Sequence, residues 1–244
     1  MLEEILPPQV RSAEAFGEST PEPLFPEELA LVAGAGQRRR DEFAAARACA
    51  RRALGGLGLP PGPVLRDASR APLWPRGVVG SLTHCAGYRA AAVAWSTGTA
   101  GDGTADPAGI ATSAGVATIG IDAEPHEALP DGVLGLVASA GERDGLDRLR
   151  RDDPSVCWDR LLFCAKEAVY KAWFPLARRW LGFADAVVGI HPDGRFSARL
   201  GLAPGAGLPA RFDGRWLARD GLLLAAIAVS NRPDRETVLH RGPA

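Results

Sequence analysis

The spacing of apolar and polar residues divides the first part of the chain into a helix and a pair of strands. From about Arg38 to Leu54 apolar positions recur at helical spacing, and this segment ends at a Gly-Gly pair. The Pro-rich residues 60–77 cannot form a helix, so we expect a link that crosses the surface. The runs VVGSLTHCAG and YRAAAVAW are separated by a turn and predict a β-hairpin.

The second part of the chain shows a similar mixture of strands and helix. The run VATIGIDAE predicts a strand, the residues that follow are expected to form a loop to about Ser155, and a helix is predicted from about Val156 to Phe174. Two further strand pairs are predicted, one around the turn at 191–194 and one over residues 214–230.

The segment between these two parts is the natural boundary of the fold. Residues 96–115 are rich in Gly, Ser, Thr and Ala without periodicity, which predicts a flexible loop or linker. We therefore expect an α+β protein with an N-terminal half, residues 1–116, and a C-terminal half, residues 117–244. Each half is small, so we expect the two to share an interface.

Composition and charge exclude several classes of protein. The net charge of −1 gives no global argument for binding nucleic acid or an anionic membrane, and no apolar stretch reaches the roughly 18 residues of a membrane span. The N-terminal MLEEILPPQV lacks the pattern of a signal peptide. No Cys-x-x-Cys pair occurs, so the four cysteines are interpreted as free thiols in a reducing cytosol: Cys49, Cys85, Cys157 and Cys164.

The predicted strand 116–124 carries a first candidate site. Side chains alternate along a strand, so Asp122 and Glu124 point the same way while Ile119 and Ile121 point the other way. Paired carboxylates of this kind suit Mg²⁺, which binds one or two protein carboxylates together with substrate phosphate oxygens. The alternative is a strand end with two solvated acids.

The predicted helix 156–174 carries a second candidate site in the segment FCAKEAVYKAW. Glu167 and Lys171 lie one helical turn apart, beside the face that is expected to pack on the core. Glu167 could complete a three-carboxylate metal site or act as a base, and Lys171 could bind a phosphate. The alternative is an intrahelical ion pair worth roughly 0.3–0.5 kcal/mol.

Two further groups of residues suit phosphate binding. Arg40, Arg47 and Arg51 share one face of the first helix, where they could hold a phosphorylated small molecule or form an ordinary solvated face. Ser81 and His84 lie on a predicted strand without the surroundings of a hydrolase nucleophile, so His84 is either a phosphate ligand or a structural residue.

The order of these motifs resembles that of the 4′-phosphopantetheinyl transferases. Gly120-Ile121-Asp122-x-Glu124, followed about 40 residues later by Lys166-Glu167-Ala168-x-x-Lys171, is similar to the two signature motifs of that family. The upstream stretches APLWP (71–75) and GSLTH (80–84) resemble its link and its phosphate-binding strand. The resemblance covers about residues 1–230 and is strongest to the monomeric type of secondary metabolism and siderophore synthesis. Phe163, where many members have Trp, and a longer loop at 96–115 are departures.

The resemblance implies a monomer of two pseudo-symmetric α+β halves with coenzyme A held in the cleft between them. It implies Mg²⁺, with Mn²⁺ as the alternative, on Asp122, Glu124 and Glu167. His84 and Lys171 would contact phosphates. The further candidates for coenzyme A binding are Arg40, Arg47, Arg51, Arg70, Ser81, Thr83 and Lys166.

The implied reaction is attack by a serine hydroxyl of an acyl or peptidyl carrier protein on the β-phosphate of coenzyme A. It leaves phosphopantetheine on the serine and releases adenosine 3′,5′-bisphosphate. Glu167 is the predicted base, Lys171 and His84 are the other predicted catalytic residues, and residues 174–183 are the predicted docking surface for the carrier. A metal-dependent phosphohydrolase or nuclease using the same carboxylates, or a noncatalytic coenzyme A-binding protein, remains the alternative.

Overall fold

Two antiparallel sheets, one from each half of the chain, form the framework of the computed structural model. The structure describes residues 1–17, 22–97, 115–201, 205 and 207–230. Most of the predicted loop at 96–115 therefore lies outside the described residues. The mixture of small antiparallel sheets and helices confirms the predicted α+β class.

The N-terminal sheet has three strands in the order β1-β5-β4, and helix α3 packs on it. The predicted helix and hairpin are confirmed as α3 and as β4 with β5. Strand β1, which pairs with β5, was not predicted. The elements in chain order are α1 (Leu2–Ile5), β1 (Arg11–Phe16), α2 (Pro26–Leu31), α3 (Gln37–Gly55), β2 (Leu65–Arg66), β3 (Pro72–Leu73), β4 (Val78–Cys85) and β5 (Tyr88–Trp95).

The C-terminal sheet has five strands in the order β6-β10-β9-β8-β7. The predicted strand, the long helix and both strand pairs are confirmed as β6, α6, β7 with β8, and β9 with β10. The elements are β6 (Val116–Pro125), α4 (Val133–Val137), α5 (Ala140–Asp152), α6 (Trp158–Ala177), β7 (Ala186–His191), β8 (Arg195–Leu200), β9 (Arg211–Arg219) and β10 (Leu222–Ser230).

The loop predicted between β6 and about Ser155 is wrong, because this segment contains the helices α4 and α5. Helix α5 begins with a capping box, in which Ser139 and Glu142 each accept a hydrogen bond from the other's backbone N–H. Its apolar face is narrow, with Leu146 and Leu149 among mostly charged residues, so the apolar periodicity is weak. The Ser-x-x-Glu spacing is the signal that could have revealed it.

Helix α6 is the central element of the C-terminal core. The side chains that were expected to face the core are fully buried: Leu162, Ala165, Val169 and Trp173. The helix continues beyond Phe174, through Pro175, and ends before Arg178, whose φ of 49° closes it in the left-handed region. No helix in the described part of the chain is both long and apolar enough to cross a membrane.

Helix α6 approaches the sheet closely at Gly120 on β6. A Cβ atom at this position would lie 2.0 Å from the carbonyl oxygen of Ala168 and 2.7 Å from the backbone nitrogen of Ala172. The neighbouring Thr118 donates its hydroxyl to the carbonyl of Ala172 at 2.7 Å. The helix backbone therefore lies directly against the strand, which brings the acidic residues of both elements together.

The two halves meet where β4 lies beside β6. Ser81 Oγ accepts a hydrogen bond from the backbone N–H of Ile121 at 3.1 Å, and Thr83 Oγ1 accepts one from that of Ala123 at 3.0 Å. Two hydroxyls of the N-terminal half thus satisfy backbone donors of the strand that carries Asp122.

Replacing Gly120 should disrupt the contact between α6 and β6. We expect Gly120→Ala to lower the free energy of unfolding by about 3 kcal/mol, because the added methyl group meets rigid backbone. Gly141→Ala is the matched control, since a Cβ there meets nothing within 4 Å and alanine favours a helix. Equal unfolding free energies for the two variants in denaturant titrations would contradict this close approach.

Candidate active site

The centre of the candidate site is the carboxylate of Asp122, which is only 5% exposed. Its Oδ1 accepts hydrogen bonds from Lys171 Nζ at 2.6 Å and from Thr83 Oγ1 at 3.1 Å. Its Oδ2 is buried and has no hydrogen-bond partner among the described residues. A buried carboxylate oxygen without a partner is unfavourable, so this atom is suited to receive a ligand.

Two further carboxylates lie close to Asp122. Burial and then the negative charge of Asp122 raise the pKa of Glu167, and the same two causes raise the pKa of Glu124. Arg160 opposes the shift at Glu124, which it contacts at 3.0 Å, and Lys171 opposes the shift at Glu167. The fold therefore concentrates negative charge that its own cations only partly offset.

Helix α6 presents three of its charged groups to β6 on one face. Arg160, Glu167 and Lys171 are spaced by seven and four residues, which places them in one row along the helix. The outer two contact Glu124 and Asp122. Burial acts to lower the pKa of Lys171, but the charge and hydrogen bond of Asp122 more than offset it, so this pKa is raised and the amine stays charged.

A cavity of about 640 Å³ opens beside this row, and both halves of the chain line it. Lys171 and His84 are part of its wall, so Asp122 lies one contact away from it. The cavity has a strongly cationic lining and four aromatic residues in its wall. The arginines are Arg39, Arg47, Arg66, Arg70 and Arg178, and the aromatic residues are Phe43, Trp74, Tyr170 and Phe174.

His84 lies beside Arg39 in this cavity. Partial burial of its ring and the charge of Arg39 lower the pKa of His84, so the ring is neutral at neutral pH. Arg39 Nη1 lies 3.2 Å from His84 Nε2. Because a guanidinium can only donate, Nε2 is the acceptor and Nδ1 carries the proton.

Only some of the arginines predicted to bind coenzyme A line the cavity. Arg47 and Arg70 line the cavity. Burial lowers the pKa of Arg47 to about 10, which leaves it charged at neutral pH. By contrast, Arg40 donates to the carbonyls of Ala33 and Ala35 and does not line the cavity.

Arg51 also lies away from the cavity lining, because it pairs with the buried Glu28 at 3.0 Å. Glu28 Oε1 and Oε2 further accept the backbone N–H groups of Val64 and Phe25. This contact ties α3 to α2 and to the Pro-rich link. In this structure Arg51 stabilises the arrangement of α3, and its predicted contact with coenzyme A stays a prediction.

Lys166, the first lysine of the KEAVYK segment, points away from Asp122 into a different buried site. Its Nζ contacts Glu142 at 2.9 Å and donates to the carbonyls of Val137 and Phe183, both at 2.8 Å. Glu142 in turn accepts the backbone N–H of Val188. Every donor of Lys166 thus has a partner, and the residue joins α6 to α5 and β7.

Ser81 and Thr83 line the cavity, but their hydroxyls are engaged with β6 and, for Thr83, with Asp122. Sequence reasoning missed Arg39, Arg66 and Arg160, and it placed Arg178 in the predicted docking surface 174–183 rather than in the cavity lining. Arg39 belongs to the same arginine run as Arg40, and only the packing of α3 decides which of the two faces His84. Arg160 lies seven residues before Glu167, a same-face spacing that could have revealed it.

The two halves match two family models. Residues 27–94 match the 4′-phosphopantetheinyl transferase N-terminal domain, and residues 118–220 match the 4′-phosphopantetheinyl transferase superfamily. The chain belongs to the 4′-phosphopantetheinyl transferase family. The resemblance inferred from the sequence motifs is therefore confirmed.

Whole-length relatives agree with this assignment of the transferase. The chain is 48% identical to the 4′-phosphopantetheinyl transferase Svp of Streptomyces mobaraensis over 94% of its own length and 89% of the relative. It is 45% identical to Npt of Nocardia iowensis, with 93% and 99% covered. It is 43% identical to PptT of Mycobacterium tuberculosis strain ATCC 25618 / H37Rv, with 92% and 96% covered.

The donor set of this transferase fits a hard divalent cation in its chemistry. Asp122 offers an unpartnered buried oxygen, and Glu124 and Glu167 are carboxylates that a cation would stabilise. In the described ranges, however, no three His, Cys, Asp or Glu side chains are arranged so that they could hold a metal ion together. Asp122 and Glu124 are paired with cations of α6 instead.

Replacing Lys166 should destabilise the fold. We expect Lys166→Met to lower the free energy of unfolding by about 3–5 kcal/mol, because it leaves Glu142 charged and buried without its cation. Arg150→Met is the matched control: it removes an exposed partner of Asp147 and should change the stability by at most about 1 kcal/mol. Similar stability losses in both variants, measured by denaturant titration, would contradict the role of Lys166 in the fold.

Proposed function

We propose that this transferase takes 4′-phosphopantetheine from coenzyme A and, in the presence of Mg²⁺, transfers it to a serine of an apo acyl or peptidyl carrier protein. Adenosine 3′,5′-bisphosphate is the second product. The observation that carries the proposal is the grouping of three carboxylates with Lys171, a residue that also lines a cationic cavity of about 640 Å³. A cavity of this size accommodates a cofactor-sized molecule.

The cavity has the chemistry that coenzyme A requires. Its arginines provide donors for the 3′-phosphate and the pyrophosphate, and arginine is well suited to phosphate oxygens. Trp74 and Tyr170 offer flat faces beside these cations, where a nucleobase can stack. His84, with its proton on Nδ1, adds a neutral donor for a phosphate oxygen.

In this proposal Asp122, Glu124 and Glu167 hold the Mg²⁺ ion. When bound, the ion neutralises charge on the phosphates during transfer. The unpartnered Oδ2 of Asp122 supports this assignment. Lys171, which stays protonated, can leave Asp122 for the substrate and stabilise the departing phosphate, because it already forms part of the cavity wall.

Glu167 is the proposed general base. A serine hydroxyl is a poor nucleophile at neutral pH, so the proton on its oxygen must move to an acceptor as the bond to phosphorus forms. In the metal-free site, burial and the charge of Asp122 raise the pKa of Glu167. Its position between Arg160 and Lys171 on α6 keeps it next to the carboxylates of β6.

The carrier protein docks, in this proposal, on residues 174–183 after α6. Trp180 is 71% exposed and its ring packs against Tyr170, with centroids 5.0 Å apart and planes tilted by 57°, so a large apolar surface adjoins the cavity. Arg178 and Arg179 place positive charge beside it, which suits an acidic helical carrier. Because one chain supplies both walls of the cavity, the enzyme is proposed to act as a monomer. We also propose that it is cytoplasmic and has no nucleic acid or membrane partner.

Intact-mass spectrometry of an apo carrier protein tests the proposal. With coenzyme A and Mg²⁺, we expect the carrier to gain one phosphopantetheine on its serine, and to gain nothing when Mg²⁺ is removed by chelation. Glu167→Gln should lower the initial rate at least about 100-fold, as loss of a general base does. Glu27→Gln on the exposed surface of α2 is the matched control and should retain the rate.

The competing activities give different results in the same assay. A phosphohydrolase would leave the carrier mass unchanged and release phosphate or nucleotide from simple esters. A noncatalytic coenzyme A-binding protein would do neither. Either result across several acyl and peptidyl carriers would overturn the proposal, and a near-normal rate for Glu167→Gln would remove Glu167 as the base.

A further inference from the structure

Arg160 holds the carboxylate of Glu124 and has no place in the proposed reaction. Its Nη1 contacts Glu124 Oε2 at 3.0 Å, and both side chains are largely buried. Its Nε and Nη2 donate to the carbonyls of Glu127 and Ala128 at 3.2 and 2.9 Å. The guanidinium is thus fixed by three contacts, and one of its partners is a proposed metal ligand.

The two ion pairs between α6 and β6 differ in how a substrate can affect them. Lys171, the partner of Asp122, lines the cavity, so a phosphate bound there can draw it away. Arg160 is not among the residues that line the cavity, and two backbone carbonyls hold it. A substrate phosphate can therefore free Asp122 but not Glu124.

This asymmetry affects how strongly the free site can bind a cation. Three carboxylates face two positive charges in the substrate-free site, so the five groups carry a net charge of −1 (three negative, two positive) when all are ionised. A positive charge 3.0 Å from Glu124 opposes a second cation on the same carboxylate. The substrate phosphates would add the missing negative charge.

We propose that Arg160 is a positioning residue that holds Glu124 and keeps the affinity of the substrate-free site for divalent cations low. This inference rests on the proposed function, because it concerns the same carboxylates. Its consequence is that metal and coenzyme A bind together: each supplies charge that the other needs. Tight binding of a metal ion to the free enzyme is thereby avoided.

Arg160 also stabilises the chain after β6, so a test must separate charge from structure. The same segment has other contacts with the start of α6: Leu129 N–H donates to Asp159 at 3.0 Å, and Cys157 N–H donates to His126 Nε2 at 3.1 Å. Loss of the Arg160 contacts alone therefore leaves the segment attached. A lysine at position 160 keeps the charge but cannot reproduce the guanidinium geometry.

Electron paramagnetic resonance of free Mn²⁺, titrated into the full-length enzyme without coenzyme A, measures this affinity directly. We expect Arg160→Gln and Arg160→Met to bind Mn²⁺ about tenfold more tightly than the unmodified enzyme, because a nearby positive charge is gone. Arg160→Lys should stay within about threefold of the unmodified enzyme, since the charge remains. Arg150→Gln, which removes an exposed charge on α5, is the matched control and should change nothing.

With coenzyme A present, the difference in Mn²⁺ affinity between the neutral variants and the unmodified enzyme should shrink, because the substrate phosphates offset the charge of Arg160. Unchanged or weaker Mn²⁺ binding in the neutral variants, or tighter binding in Arg160→Lys equal to that in Arg160→Gln, would overturn the proposal. If both neutral variants fail to fold while Arg160→Lys folds, the positive charge at position 160 is needed for folding, and the proposal is also overturned.

The same titration separates this inference from the proposed function. If the unmodified enzyme binds no Mn²⁺ with or without coenzyme A, or binds it equally well after Asp122→Asn, the proposed metal site itself is wrong. If Mn²⁺ binding depends on Asp122 but does not respond to the charge at position 160, only the role of Arg160 is wrong.

Discussion

The contact between the backbone of α6 and Gly120 of β6 is the constraint on which the rest of the site depends. With a hydrogen atom in place of Cβ, the strand approaches Ala168 so closely that any side chain would displace the helix. Thr118 fixes the register through the carbonyl of Ala172. Because α6 lies this close, Glu167 stands beside Asp122, which follows Gly120 by two residues.

That proximity creates a concentration of negative charge, which two cations of α6 and one hydroxyl of the N-terminal half partly offset. Lys171 and Arg160 on α6 hold the two carboxylates of β6, while Thr83 of the N-terminal half contributes a hydroxyl to Asp122. One oxygen of Asp122 is left without a partner in the described part of the chain. A site of this kind is costly to maintain when empty, and its chemistry favours a ligand that brings both a divalent cation and phosphates.

How far the sequence predicts this transferase depends on whether a residue's role is local. Strand alternation and helix periodicity place Asp122, Glu124, Glu167 and Lys171, because each follows from the spacing within one element. The contacts of Arg40, Arg51 and Lys166 depend on which elements pack against α3 and α6. The periodicity within one element does not contain that information. Helix α5 was missed for a related reason: it is held by Lys166 and Glu142 rather than by a broad apolar face.

The most direct test of this account compares the unfolding free energy of the enzyme with that of Glu167→Gln, without divalent cations, at about pH 7.5 and about pH 4.5. Burial and the charge of Asp122 raise the pKa of Glu167 in the folded state. Stability is therefore lost as the pH rises through this raised value and Glu167 ionises. At a pH where Glu167 is protonated in both the folded and the unfolded state, this loss is absent. We expect Glu167→Gln to have the larger unfolding free energy at pH 7.5, and we expect this difference to shrink at pH 4.5. A less stable variant at pH 7.5, or a difference independent of pH, would contradict it.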